Sequence, residues 1–245
     1  MSEGVASAKY ACSVRVAESA DELFERVSGL LEPDEPAEAP RAIAAAGWST
    51  AATAKRVASR SRARLRRMLG PSLETPRLIL RPPTGADFDA FAAFAADESA
   101  STFLGGVQSR AVAWRGWAQI AGSWLLNGYS MFSYIEKASG RWIGRGGPWM
   151  PEGWPGTEVG WGIVPDMQRK GYAKEAATAS IDWAFDALGW TDVIHCIDPR
   201  NAASIAVAKS LGSKLVKSGV AATAPLVGTW DLYGQTRDEW RSRQR

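Results

Sequence analysis

Apolar positions recur along this chain with two periods. Leu78, Ile79 and Leu80 form a short apolar run of strand type. Residues 86–97 and 110–126 carry helical periodicity, the second with Trp114, Trp117, Ile120, Ala121 and Trp124 three and four residues apart. Residues 129–136, 141–148 and 157–164 then read as three strands separated by Gly or Asn turns, which predicts an antiparallel meander. After Ala173 the apolar positions Ala177, Ile181, Ala184, Phe185 and Leu188 return to helical spacing, and Gly189 supplies a stop. Residues 192–197 read as a buried strand bounded by Pro199. Asn201 stands at the N-cap of another helix, whose buried side is Ile205, Ala208 and Leu211 and whose end is Gly212. Two last strands fall near 214–217 and 226–233. The pattern predicts a mixed α/β sheet flanked by helices.

The first 70 residues differ. Leu23, Val27, Leu30 and Leu31 suit one amphipathic helix over 17–31. Glu32, Asp34, Glu35 and Glu38 lie among Pro33, Pro36 and Pro40, a composition that cannot build a core. Residues 55–67 hold seven Lys and Arg and no acid. We therefore divide the chain into an extension over 1–71, poorly structured or helical and dispensable for catalysis, and a domain over 72–245. Met68 is an alternative start. No aromatic residues interleave with the basic run, so nucleic acid is not an expected partner. The apolar fraction of 46% and the net charge of +3 are those of an ordinary globular protein. No apolar run approaches the roughly 18 residues of a membrane helix, and the N-terminus has no secretory core, so the expected location is the cytoplasm. Two cysteines make no disulfide framework, and one histidine rules out a multi-histidine metal site. Cys196 and His195 read as structural members of their strand. Most of the twelve tryptophans read as core.

The chemistry concentrates at Gln168-Arg169-Lys170-Gly171-Tyr172-Ala173. A strand runs into this hexapeptide and a helix leaves it. Unpaired N–H groups of a first helical turn converge there, the helix dipole adds positive potential, and Gly171 permits close approach of an anion beside Arg169 and Lys170. The six residues fit Gln/Arg-x-x-Gly-x-Gly/Ala and resemble the pyrophosphate loop of the GNAT N-acetyltransferases. The segment from Leu73 to Pro82, with its Glu74-Thr75-x-Arg77-Leu78-x-Leu80-Arg81 pattern, resembles the opening strand of the ribosomal-protein N-terminal acetyltransferase (RimJ/RimL-like) branch, as do 156–161 and 201–212. The loop departs from the branch's Trp-Gly-Arg-Gly-Tyr-Ala: Lys170 stands in the arginine slot, a point charge in place of a fork. The resemblance spans residues 72 to about 235. It implies a GNAT-type, mostly antiparallel central sheet in which the strand ending at Val164 splays from the strand 192–197, with the pantetheine arm of acetyl-CoA between them.

Acetyl transfer to an amine needs a neutral amine, a donor for the oxyanion and a stabilised leaving thiolate. No Ser-His-Asp or Cys-His pair is evident, so direct attack in a ternary complex is expected. Glu158 is the best placed acid to act as base; its alternative is a strand-face carboxylate paired with a cation. A backbone N–H near Gly162 or Ile163 would hold the oxyanion. On the resemblance, Ile163, Val164, the hexapeptide, Asn201 and Ser204 contact acetyl-CoA, and Ser204 is a candidate proton donor to sulfur. Trp149 and Trp154 could wall the acceptor pocket. No metal is implied. A primary α-amine of a peptide or protein N-terminus suits a single weak base, because roughly a tenth of it is neutral at pH 7 against well under a thousandth of a lysine. A small-molecule amine or a non-catalytic acyl-CoA-binding module are the alternatives, in a monomer or homodimer.

Overall fold

The computed structural model describes residues 70–223 and 226–243; the divisions expected within the first 69 residues lie outside them. In order the elements are β1 (Leu73–Glu74), β2 (Leu78–Arg81), a 3-10 turn (Gly85–Asp87), α1 (Phe88–Ala96), α2 (Glu98–Ser101), α3 (Arg110–Asn127), β3 (Phe132–Glu136), β4 (Trp142–Trp149) and β5 (Glu158–Ile163). A second 3-10 turn (Pro165–Met167), α4 (Tyr172–Asp186), β6 (Asp192–Ile197), α5 (Ala202–Ser210), β7 (Lys214–Ala221), β8 (Thr229–Thr236) and α6 (Arg237–Ser242) complete the domain. The strands form one sheet of eight in the order β1-β2-β3-β4-β5-β6-β8-β7. Every neighbouring pair is antiparallel except β5 and β6.

Residues opposite each other in an antiparallel pair share a face, so the register sorts the core. Arg81, Ser133, Arg145 and Gly162 line one face. There α1 packs, since a Cβ on Gly162 would lie 3.0 Å from the Phe94 ring. Phe91 stacks at 4.6 Å on Trp117 of α3. The other face carries Val159 and Val193, buried with Ala177, Ile181 and Phe185 of α4. Helix α3 buries Ala113, Trp117, Ile120 and Trp124. Trp114 instead is 53% exposed and meets Phe88 only edge-on.

Asp87 pins α1 to the sheet. Its carboxylate takes two bonds from Arg81 at 2.7 Å, one from Thr84 N and one from Ser133 Oγ. Burial would raise its pKa, but the Arg81 and Thr84 bonds win and hold it below the usual range.

Three differences from the sequence reading have local causes. β8 begins at Thr229 and not at 226, because Ala222 N bonds to Gly228 O and Gly228 takes φ +102, closing a turn first. Helix α6 is extra and starts with a capping box of Thr236 and Glu239, a signal readable in the sequence. β1 has two residues, too few for periodicity to show.

Candidate active site

Strand β5 ends in the phosphate-type loop. Met167 N and Gln168 N close the second 3-10 turn on Val164 O and Pro165 O. Gln168 Nε2 donates to Ile163 O at 3.0 Å, tying the loop to the strand. Arg169 then takes φ +58, the one positive φ on a non-glycine residue among those described, and Gly171 takes φ +86 as the N-cap of α4. Left-handed residues flanking Lys170 turn successive N–H groups toward one side, as in an anion nest. Among the described residues no protein acceptor faces the N–H groups of Arg169 to Ala173. These donors, at the start of a 15-residue helix, fit a pyrophosphate.

A clamp from the other end of the chain holds this loop. Glu175, in the first turn of α4, accepts from Thr75 Oγ1 at 2.6 Å, from Arg77 N at 2.9 Å and from Arg77 Nε at 2.6 Å. The same guanidinium donates to Lys170 O at 2.9 Å and covers the Tyr172 ring. Burial would raise the Glu175 pKa, but these bonds lower it. The Thr75-x-Arg77 motif thus has a mechanical purpose: it fixes the loop's carbonyl and the helix start together.

Beside the loop the sheet opens. The parallel register of β5 and β6 is confined to Glu158 opposite Ile194, where Ile194 N meets Thr157 O at 2.9 Å. Beyond it side chains replace the ladder. Cys196 N donates to Glu158 Oε1 at 3.1 Å, and His195 Nδ1 donates to Val159 O at 2.7 Å while its Nε2 accepts from Ser213 Oγ at 2.9 Å. Burial depresses the His195 pKa to about 4, so the ring is neutral and structural. Farther along, Gly160, Trp161 and Gly162 remain partly exposed in mid-sheet. Peptide groups alternate direction along a strand. Thr157 and Val159 present carbonyls to β6 and Val164 N bonds to Ile143 O of β4, so the N–H groups on the open edge belong to Trp161 and Ile163. Gly162 is therefore corrected: its peptide turns to β4. Both backbone groups of Val164 are engaged, its N–H by Ile143 and its carbonyl by Met167, and its side chain is buried.

Glu158 sits at the closed end of this opening and is 6% exposed. Its Oε2 accepts from Trp154 Nε1 at 2.6 Å. Burial, the largest influence, outweighs the Cys196 and Trp154 bonds and the charge of Arg145, and pushes its pKa up to about 7. Trp149, directly opposite Glu158 on β4, meets Trp154 edge-on at 6.4 Å, and Trp154 stacks on Trp230 at 4.9 Å. Both tryptophans thus gather at the carboxylate. Burial and the neighbouring Glu158 raise the Cys196 thiol, which stays protonated. Asn201 Oδ1 caps α5 by accepting from Ser204 N at 3.0 Å, while its amide N–H₂ and the Ser204 hydroxyl bond to no other described residue. Sequence reasoning missed Arg145 and Met131. The signal was a lone charge in the otherwise apolar and glycine-rich strand β4.

The profile described as an acetyltransferase (GNAT) domain matches residues 77–214, and this chain belongs to that family, whose members use acetyl-CoA. An acetyltransferase structure from Agrobacterium tumefaciens is 30% identical, with a TM-score of 0.60 over 68% of this chain and 95% of that one. An uncharacterized N-acetyltransferase of Bacillus subtilis, YnaD, is 37% identical over 57 residues, 23% of this chain and 34% of its own length. The match thus spans about a third of that curated relative. RimJ of Mycobacterium smegmatis, solved in complex with CoA-disulfide, shares the fold at 16% identity, with a TM-score of 0.51 over 66% of this chain and 83% of that one. Among the described residues no helix is long and apolar enough to cross a membrane, and no cluster of three His, Cys, Asp or Glu could hold a metal.

Proposed function

We propose that this chain transfers an acetyl group from acetyl-CoA to a primary amine, by direct attack in a ternary complex, and that the amine is an α-amine of a peptide or protein N-terminus. The observation that carries this reading is Glu158: a buried carboxylate with a pKa of about 7 at the foot of the β5–β6 opening, on the strand that runs into the loop with the unpaired N–H groups. A base of that strength suits an α-amine of about 7.7–8.0, leaving less than about one unit to climb, against more than three for a lysine.

Acetyl-CoA supplies the activated acyl group. The N–H groups of Arg169 to Ala173, with Arg169 and Lys170 beside them, hold its pyrophosphate. Asn201 N–H₂ and the edge of β5 at Ile163 receive the pantetheine arm. Glu158 takes the proton of the amine, Trp149 and Trp154 bound the space around it, and the N–H groups of Trp161 and Ile163 face the acyl oxygen. Ser204, on α5, gives a proton to the leaving sulfur. The fold shared with RimJ is compatible with an N-terminal acceptor. The test is thiol release from acetyl-CoA across peptide N-termini and small amines, with initial rates at varied concentrations of both substrates. Intersecting lines and turnover of α-amines are expected; parallel lines would refute direct attack.

A further inference from the structure

Three arginines on or next to β2 and β4 differ in their partners. Arg81 holds Asp87 and Arg141 holds Asp166. Arg145, on β4, makes no hydrogen bond or ion pair to a carboxylate among the described residues; the opposite charge it feels is that of Glu158. The Arg145 Nε is buried without any hydrogen bond, and its Nη1 rests on the soft sulfur of Met131. An arginine stays protonated in a protein, and a half-buried guanidinium whose donors lack a hydrogen-bonded carboxylate is costly. A guanidinium in that state is set to meet a further anion.

The neighbouring residues say where that anion comes from. Arg145, Gly162, Gly160 and Glu158 share one face by the β4–β5 register. Gly160 has no side chain, and a Cβ there would lie 3.4 Å from Glu158 Oε1 and 3.7 Å from Met131 Cε. A group resting on Gly160 therefore touches the base on one side and, on the other, the methionine against which the guanidinium leans. The phosphates have their own donors in the loop beyond Ile163. We infer that Arg145 binds a carboxylate carried by the acceptor, a few bonds from the reacting amine. The planar fork then closes on the carboxylate with two parallel bonds, and the acceptor is an amino acid or a peptide with an acidic first residue. This deepens the acetyl-transfer reading and rests on it.

The experiment compares acceptor pairs that differ in one carboxylate: free amino acids against their α-carboxamides, and peptides beginning with Asp or Glu against those beginning with Asn or Gln. Thiol release is read with wild type, Arg145→Gln and Arg145→Lys. We expect kcat/KM to favour the carboxylate member at least tenfold in one of the two sets, which identifies the source. Arg145→Gln should abolish that preference and Arg145→Lys should keep part of it. The melting temperature of Arg145→Gln should hold, since the guanidinium makes no hydrogen bond to a carboxylate within the fold. No preference in wild type, a preference unchanged in Arg145→Gln, or a melting temperature several degrees lower would each overturn the inference and leave acetyl transfer standing. Acetyl-CoA binding by calorimetry without thiol release on any amine would overturn both.

Discussion

Replacing Glu158 by glutamine tests the site through stability as well as rate. In the unfolded chain this carboxyl titrates near 4.5, and in the fold burial pushes it up to about 7. Between those values the folded protein keeps a proton that the unfolded chain has released. Stability therefore falls as pH rises from about 4.5, and the loss is complete above about 7. At about 1.4 kcal/mol per unit the full span costs about 3 kcal/mol, of which roughly 2.5 kcal/mol falls between pH 5 and pH 8. The groups facing the carboxylate are the charged Arg145 from β4 and the titratable but neutral Cys196 thiol from β6; the Trp154 indole faces it from the loop before β5. Glutamine mimics the protonated acid, so fixed differences in hydrogen bonding cancel when two pH values are compared. Urea unfolding at pH 5 and pH 8 should show Glu158→Gln gaining about 2.5 kcal/mol on wild type between them. In the kinetic arm, wild-type kcat/KM should rise through about pH 7. The variant should be about ten to a thousandfold slower at pH 7 and recover in part as the amine loses its own proton at higher pH. Parallel stability curves would refute the burial argument, and equal pH–rate profiles would refute the role as base.

Gly171→Glu places a side chain at φ +86 and a negative charge at the loop, so acetyl-CoA affinity by calorimetry should fall at least about a hundredfold in a folded protein. Arg77→Ala removes the bond to Lys170 O and the half-exposed pair with Glu175; acetyl-CoA Kd should rise about three- to tenfold, from roughly 1 kcal/mol of lost loop fixation. Asp87→Asn strands Arg81 and weakens the α1 anchor, and chemical denaturation should show a loss of about 2–4 kcal/mol at neutral pH. The wild-type Asp87 contribution should fade as pH drops through its depressed folded pKa, with the variant insensitive there.

The loop and its strand are readable in the sequence because local chemistry dictates them. A glycine able to take positive φ must follow the strand, and the helix after it declares itself by Ala177, Ile181 and Ala184. Glu158 is equally visible as a carboxylate on the strand that leads there. Its partners are less so. Trp154 lies four residues before it and reaches it through a Gly- and Pro-rich turn, while Cys196 N arrives from β6, 38 residues on. The Arg145 environment depends on which residues three strands set side by side. Periodicity gives each strand's faces but not the neighbour's register, so Ser133, Arg145 and Gly162 cannot be aligned from the sequence. The same limit hides the mechanical reason for Thr75 and Arg77, whose partner Glu175 is about a hundred residues away.

The side-chain bonds that replace the ladder between β5 and β6 make the sheet two plates joined along a seam. One plate is β1 to β5, the other β6 to β8, and the rivets are the Ile194–Thr157 bond, the His195 imidazole and the Glu158 carboxylate. Two of these rivets behave differently with pH. His195 is neutral throughout the physiological range, so its bond to Val159 is constant. Glu158, with its pKa pushed up to about 7, changes charge near neutral pH, and its bond to Cys196 N is charge-assisted only in the ionised form. The seam thus has one rivet of fixed state and one whose state changes near neutral pH.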